Sequence, residues 1–180
     1  MTEHEIALIQ NTIITSTRSK FGPYTELDAN NDIALCIELF DAPEPDIEKI
    51  NKWFDEEISN RNSNNIELLL FFLWHYGINK QFAETLAPLL LEDWHTCHID
   101  IAIYLEKAKV PSTAKYLYSA ATMNFNYLDH ESCFDLICMD ALANINNDES
   151  IEYLYALCKR KNIVISNSEK QFFERHKTGI

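Results

Sequence analysis

Apolar residues recur at the spacing of an α-helix along nearly the whole of this 180-residue chain. Phe134, Ile137, Cys138, Ala141, Leu142 and Ile145 fall at i, i+3, i+4, i+7, i+8 and i+11, one face of a long helix. Ile101, Tyr104, Leu105 and Ala108 repeat the pattern, as do Ala114, Leu117, Tyr118 and Ala121, and then Ile151, Leu154, Tyr155 and Cys158. Upstream, three more stripes predict buried faces: Leu69, Phe72, Leu73 and Tyr76; Ile47, Ile50, Phe54 and Ile58; and Ile33, Ile37 and Phe40. A first helix is expected over about residues 3–18.

Breakers interrupt these stripes at short intervals. Phe21-Gly22-Pro23 closes the first helix, Pro43 and Pro45 separate the second from the third, and the polar run 60–65 closes the third. Gly77 divides the helix ending at Tyr76 from one starting near Lys80. Pro88 lies inside a helical stretch over 81–92 and predicts a kink there. Pro111 suits a first helical turn, where its missing N–H does no harm. Thr96 and Asp148 are expected N-caps, their side-chain oxygens accepting first-turn amides. Ile163, Val164 and Ile165 have no second strand to pair with, so residues 162–167 read as a loop before a final helix. The chain contains 3 glycines, too few for the many tight turns of a sandwich or barrel. The fold class is therefore all-α.

Short connections force neighbouring helices to pack antiparallel. An internal repeat chooses between a bundle and a solenoid. Residues 115–120 match residues 152–157 at an offset of 37, and the same offset pairs Leu105 with Leu142 and Pro111 with Asp148. That period lies between tetratricopeptide and HEAT units. The expected architecture is a single domain of antiparallel helix pairs stacked as a short HEAT-like α-solenoid. Residues 1–62 form divergent N-terminal helices, 63–160 the HEAT-like pairs and 161–180 a C-terminal cap.

Charge narrows the function. The net charge is −13, and it is unevenly spread: residues 26–60 hold 11 acids against Lys49 and Lys52, giving −9, whereas residues 161–180 hold 2 acids and 4 bases. Such a field repels nucleic-acid backbones and anionic membranes and attracts basic proteins. Simple solubility is the plainer reading of the same acids. The strongest apolar run, 68–74, is too short to span a bilayer. The acidic first residues precede no apolar run and do not read as a secretory signal. Five cysteines without a CxxC pair suit reduced thiols in a cytoplasm.

Little in the chain points to catalysis. No glycine-rich loop exists to cradle phosphates, which removes Rossmann and P-loop nucleotide sites. His95, Cys97 and His98 offer three potential metal ligands on consecutive turn residues, which rarely converge on one tetrahedral point. A structural turn, with Trp94 buried and the histidines hydrogen-bonded, is the preferred reading. Cys138 and Cys158 occupy core stripes, where thiols are inert. Carboxylate pairs abound and so discriminate nothing. No catalytic, cofactor or metal residues are assigned, and the chain is expected not to be an enzyme.

One stretch carries a resemblance. Residues 89–102 (LLLEDWHTCHIDIA), 111–118 (PSTAKYLY) and 127–132 (YLDHES) are similar to HEAT-repeat immunity proteins of bacterial contact-dependent growth inhibition and polymorphic-toxin systems. The resemblance implies a protein that binds and neutralises a cognate toxin C-terminal domain, often a nuclease. Nucleases tend to be basic because they hold phosphate backbone, which suits an acidic inhibitor. The expected partner-binding residues are Glu92, Asp93, Tyr127, Asp129, Glu131 and Asp135, with Tyr127 as anchor and the acids as partners for lysine or arginine. The structural alternatives are a core contact for Tyr127 and an N-cap for Asp129. The rival surface is the acidic segment 41–57. The rival function is a general protein-interaction adaptor on the same scaffold, without a toxin partner.

Overall fold

A computed structural model describes residues 1–17, 26–77, 80–128 and 133–161. All regular structure among the described residues is helical. The helices gather into two compact units, Met1–Ile78 and Asn79–Ile180. No helix among the described residues is long and apolar enough to cross a membrane.

The first unit holds α1 (Glu3–Thr17), α2 (Glu26–Phe40), α3 (Ile47–Ser59) and α4 (Ser63–Tyr76). Helix α1 opens on a reciprocal cap: Thr2 N–H donates to Glu5 Oε2 at 2.7 Å, and Glu5 N–H donates to Thr2 Oγ1 at 3.2 Å. Pro43 and Pro45 keep residues 41–46 out of helix, and Asp46 then caps α3 by accepting from the Glu48 and Lys49 amides. The polar run that closes α3 is shorter than its composition suggests. Asn60 ends α3 and Asn62 caps α4, so Asn64 and Asn65 are already helical. Gly77 ends α4 at φ +88°, a conformation open to glycine.

The core of this unit is aliphatic and aromatic. Ile50, Phe54, Ile66, Leu69, Phe72 and Leu73 are buried, and Phe40, Trp53 and Phe72 pack as a trio with ring centroids 5.6 to 6.2 Å apart. Lys49 sits over the Phe40 and Trp53 rings, donates to the Leu39 carbonyl at 2.6 Å and pairs with Glu5 at 2.7 Å. One side chain thereby joins α1, the end of α2 and α3.

Helix α2 departs from its expected face. Among the side chains described in it, Leu35, Cys36, Leu39 and Asp32 are buried, whereas Ile33 and Ile37 are 45% and 50% exposed. Two apolar stripes run along this helix; the one through Leu35, Cys36 and Leu39 is covered, and Phe40 at the end of the other packs on Trp53 and Phe72.

The second unit holds α5 (Lys80–Leu86), α6 (His98–Ala108), α7 (Ala114–Ala120), α8 (Phe134–Ile145) and α9 (Asp148–Arg160). Helix α6 packs on α8, α7 on α8 and α9, and α8 on α9. Pro88 does not kink a continuous helix. It ends α5, and the chain continues as a 3-10 turn over Ala87–Leu91, because the ring removes an i→i−4 donor. Pro111 opens a 3-10 turn, Pro111–Thr113, that leads into α7.

The expected caps shift by one residue or more. Asn147, not Asp148, caps α9: Asn147 Oδ1 accepts from Ser150 N–H at 2.9 Å while Asn147 N–H donates to Ser150 Oγ at 3.0 Å. Asp148 is the first helical residue. Thr96 is exposed and Cys97 stands at the N-cap of α6 without a side-chain cap bond, its thiol being a weak acceptor, while its amide donates to His95 Nδ1.

The stripe Ile101, Tyr104, Leu105 and Ala108 is fully buried, as are Ala114 and Leu117. In α8, Phe134, Cys138, Ala141, Leu142 and Ile145 face the core. In α9 the buried face rotates to Ser150, Ile151, Leu157 and Cys158, leaving Leu154 and Tyr155 half-buried. The 37-residue period returns in the backbone. Lys109 ends α6 at φ 52°, ψ 43°, and Asn146 ends α8 at φ 53°, ψ 45°. Each amide donates back, to Leu105 and Leu142 respectively.

Candidate functional site

The turn over residues 92–97, between the Ala87–Leu91 3-10 turn and α6, is organised by two buried histidines. His95 Nε2 lies 2.8 Å from the Leu89 carbonyl, which only accepts, so Nε2 carries the proton. His95 Nδ1 then accepts the Cys97 amide at 3.1 Å. His98 repeats the arrangement: Nε2–H donates to the Glu92 carbonyl at 2.8 Å, and Nδ1 accepts the Tyr127 hydroxyl at 2.6 Å. The two rings stack at 4.4 Å. All four ring nitrogens are therefore spent on protein partners with both rings neutral.

Electrostatics agree with that assignment. Burial, then the neighbouring His95 ring, push the His98 pKa down to about 4, against the pull of the Glu92 carbonyl. Burial lowers His95 in the same direction, opposed by the Leu89 carbonyl and the Glu92 charge. Burial pushes the Tyr127 hydroxyl up to about 12, so it remains a donor. Such an arrangement fixes a turn and offers no lone pair to a metal. Trp94 is half-buried rather than enclosed, its ring edge-on to His95 at 5.0 Å.

Around this pair stand Phe125, 3.8 Å from the His98 ring, and Phe134 at 6.0 Å, both buried. Phe125 lies in an irregular stretch without helical period, so no sequence pattern marks it. The reach of Tyr127 to His98 spans 29 residues and is equally invisible in the sequence.

The expected partner-binding residues fall into three groups. Asp93 is exposed, Glu92 is half-buried, and Tyr127 is 42% exposed with its ring at the surface and its hydroxyl turned inward. Asp135 is engaged: Oδ2 pairs with Lys161, and Oδ1 accepts from the Leu136 amide at 2.9 Å. Asp129 and Glu131 lie outside the described residues, so the N-cap alternative for Asp129 does as well. On the rival acidic segment, Asp41, Glu44, Glu48 and Asp55 are exposed, whereas Glu57 is buried and Asp46 caps α3.

The thiols divide by burial. Cys36, Cys97, Cys138 and Cys158 are buried, and burial pushes the Cys138 pKa up to about 12, which makes its thiolate inaccessible. Cys133 is exposed, at φ 51° ahead of α8.

Comparison with protein-family models, with curated proteins and with solved structures finds no match for this chain.

Proposed function

We propose that this protein is an inhibitor of the immunity type, which binds a basic toxin domain, a nuclease in the simplest case, through an acidic surface. The observation that carries the reading is the concentration of acids between α2 and the end of α3. Residues 26–60 carry −9, and Glu38, Asp41, Glu44, Glu48 and Asp55 among them are exposed. Lys49, one of the two bases in that span, is turned inward onto Glu5 and the Leu39 carbonyl, so its charge does little to offset the surface acids. A net negative field of this kind steers a cationic partner and disfavours nucleic acid and anionic lipid.

The scaffold proposed for this role is a short HEAT-like α-solenoid. Supporting it are the 37-residue recurrence of the α6 and α8 C-caps and the packing of α6 on α8 and of α7 on α9. In the second unit, Glu92, Asp93 and the Tyr127 ring, with Asp129 and Glu131, are proposed as a further contact surface. The reading needs no catalytic group or cofactor of the protein's own and places it with its toxin in the cytoplasm.

The test is co-expression with the product of the neighbouring toxin-like gene, followed by co-purification and a growth assay. A complex that forms in low salt and weakens steeply with salt, together with rescue of growth, supports the proposal. A toxin that kills equally with and without this protein, and does not co-purify in low salt, rejects it.

A further inference from the structure

Helix α2 presents an apolar pair to solvent in the most acidic part of the chain. Ile33 and Ile37 stand one turn apart, so their side chains adjoin on one face. Both are about half exposed, while Leu35, Cys36 and Leu39 on the other side are buried. Exposed Ala34 and Glu38 continue the same face, and Asp41 follows one turn after Ile37, where its backbone turns to φ 55° as the helix ends. The face is therefore an apolar strip bordered by carboxylates at its C-terminal end.

From this geometry we infer that the Ile33–Ile37 face of α2 is the anchoring contact for a cationic protein segment, one that seats an apolar side chain between lysines or arginines. The inference rests on the acidic-surface reading above and deepens it by naming where the apolar contact falls. Charges at a rim steer and orient a partner, but affinity comes from a desolvated apolar centre. The isoleucine pair supplies that centre, and Glu38 and Asp41 supply part of the rim. A second copy of this chain is a poor occupant. Pairing the same face about a twofold axis sets two spans of −9 against each other, and like charges so placed repel.

Two synthetic peptides of equal length and equal lysine content probe the face, one amphipathic with leucine and the other with serine at every leucine position. Their binding to the full chain is measured by fluorescence anisotropy in low and high salt. Hydrogen exchange then locates the leucine peptide. The expected result is salt-dependent binding of both, with the leucine peptide roughly tenfold tighter, as burial of two half-exposed isoleucines allows. The double substitution Ile33→Asn with Ile37→Asn removes that advantage and leaves the serine peptide unchanged, and protection falls on residues 33–41. Circular dichroism confirms that this surface variant is folded. An advantage that survives the substitutions, or protection at residues 92–97 instead, overturns the inference while leaving the acidic-surface reading intact. A concentration-dependent dimer of the wild type that the substitutions abolish overturns it in favour of a second copy. Absence of binding by either peptide in low salt overturns both.

Discussion

The Tyr127 hydroxyl donates to His98 Nδ1 at 2.6 Å, tying a surface ring to a ring with no exposure at all. The bond separates what Tyr127 does for the fold from what it offers a partner. Tyr127→Phe keeps the ring and strands a buried acceptor, so it should cost about 1–2 kcal/mol, read as a lower urea midpoint at unchanged slope. If Tyr127 anchors a partner, its ring makes the contact and its hydroxyl does not. Tyr127→Phe should then bind that partner within about twofold of wild type, while Tyr127→Ala loses about tenfold or more. Equal loss in both variants would place the hydroxyl, not the ring, at the interface.

The histidine pair makes stability depend on pH in a defined direction. His98 is neutral in the folded chain with its pKa pushed down to about 4, and near 6.5 once unfolded. Between those values the unfolded state binds the extra proton. The contribution is complete above about pH 6.5 and is lost as the pH falls to about 4, worth about 3 kcal/mol across the window for His98. His95 shifts in the same direction and adds to the loss. Urea midpoints from neutral to acid pH should fall through this range, and nitrogen chemical shifts should show the Nε2–H tautomer persisting well below pH 6. A His98 ring that titrates near 6.5 in the folded protein would contradict the assignment.

How much of this was legible in the sequence depends on whether one helical face was distinctly more apolar than the others. The stripe of α3 is legible because charged and polar residues flank it, and Ile50 and Phe54 on it emerge buried. Helix α2 is not, because residues 33–37 are apolar all round and the stripe through Ile33, Ile37 and Phe40 competes with one through Leu35, Cys36 and Leu39. Periodicity cannot rank two apolar faces; only the tertiary neighbour does. The structural role of the 92–98 turn was readable from the clustering of Trp94, His95 and His98. Its link to Tyr127 was not, because a single hydrogen bond across 29 residues leaves no periodic trace. Similarly, the occupied state of Asp135 depends on Lys161, from beyond the far end of the next helix.

Lys49 offers a direct test of how the first unit is held together. Its ammonium meets Glu5, the Leu39 carbonyl and two aromatic faces at once. Lys49→Met keeps the aliphatic stem and removes the charge, and should destabilise by about 1–3 kcal/mol. Against burial, which works the other way, the Lys49 contact and the Thr2 bonds hold the Glu5 carboxyl below its ordinary pKa. Their stabilisation is present above that ordinary value and is lost as the pH falls through the lowered one. In Lys49→Met the acid-side loss should be smaller than in wild type, and a double-mutant cycle with Glu5→Gln should show coupling between the two.

The cap of α9 falls on Asn147, one residue before the Asp148 that the sequence points to. Asn147 exchanges two hydrogen bonds with Ser150, whereas Asp148 contributes a negative charge in the first turn. Asn147→Ala should cost about 1 kcal/mol, because first-turn amides lose their partner. Asp148→Ala should cost only a few tenths of a kcal/mol, and that smaller loss should shrink with added salt, because it is an interaction with the helix dipole. Thermal melts of the two variants in low and high salt decide the matter. A larger, salt-insensitive loss at Asp148 would return the cap to the position that the acidic side chain first suggests.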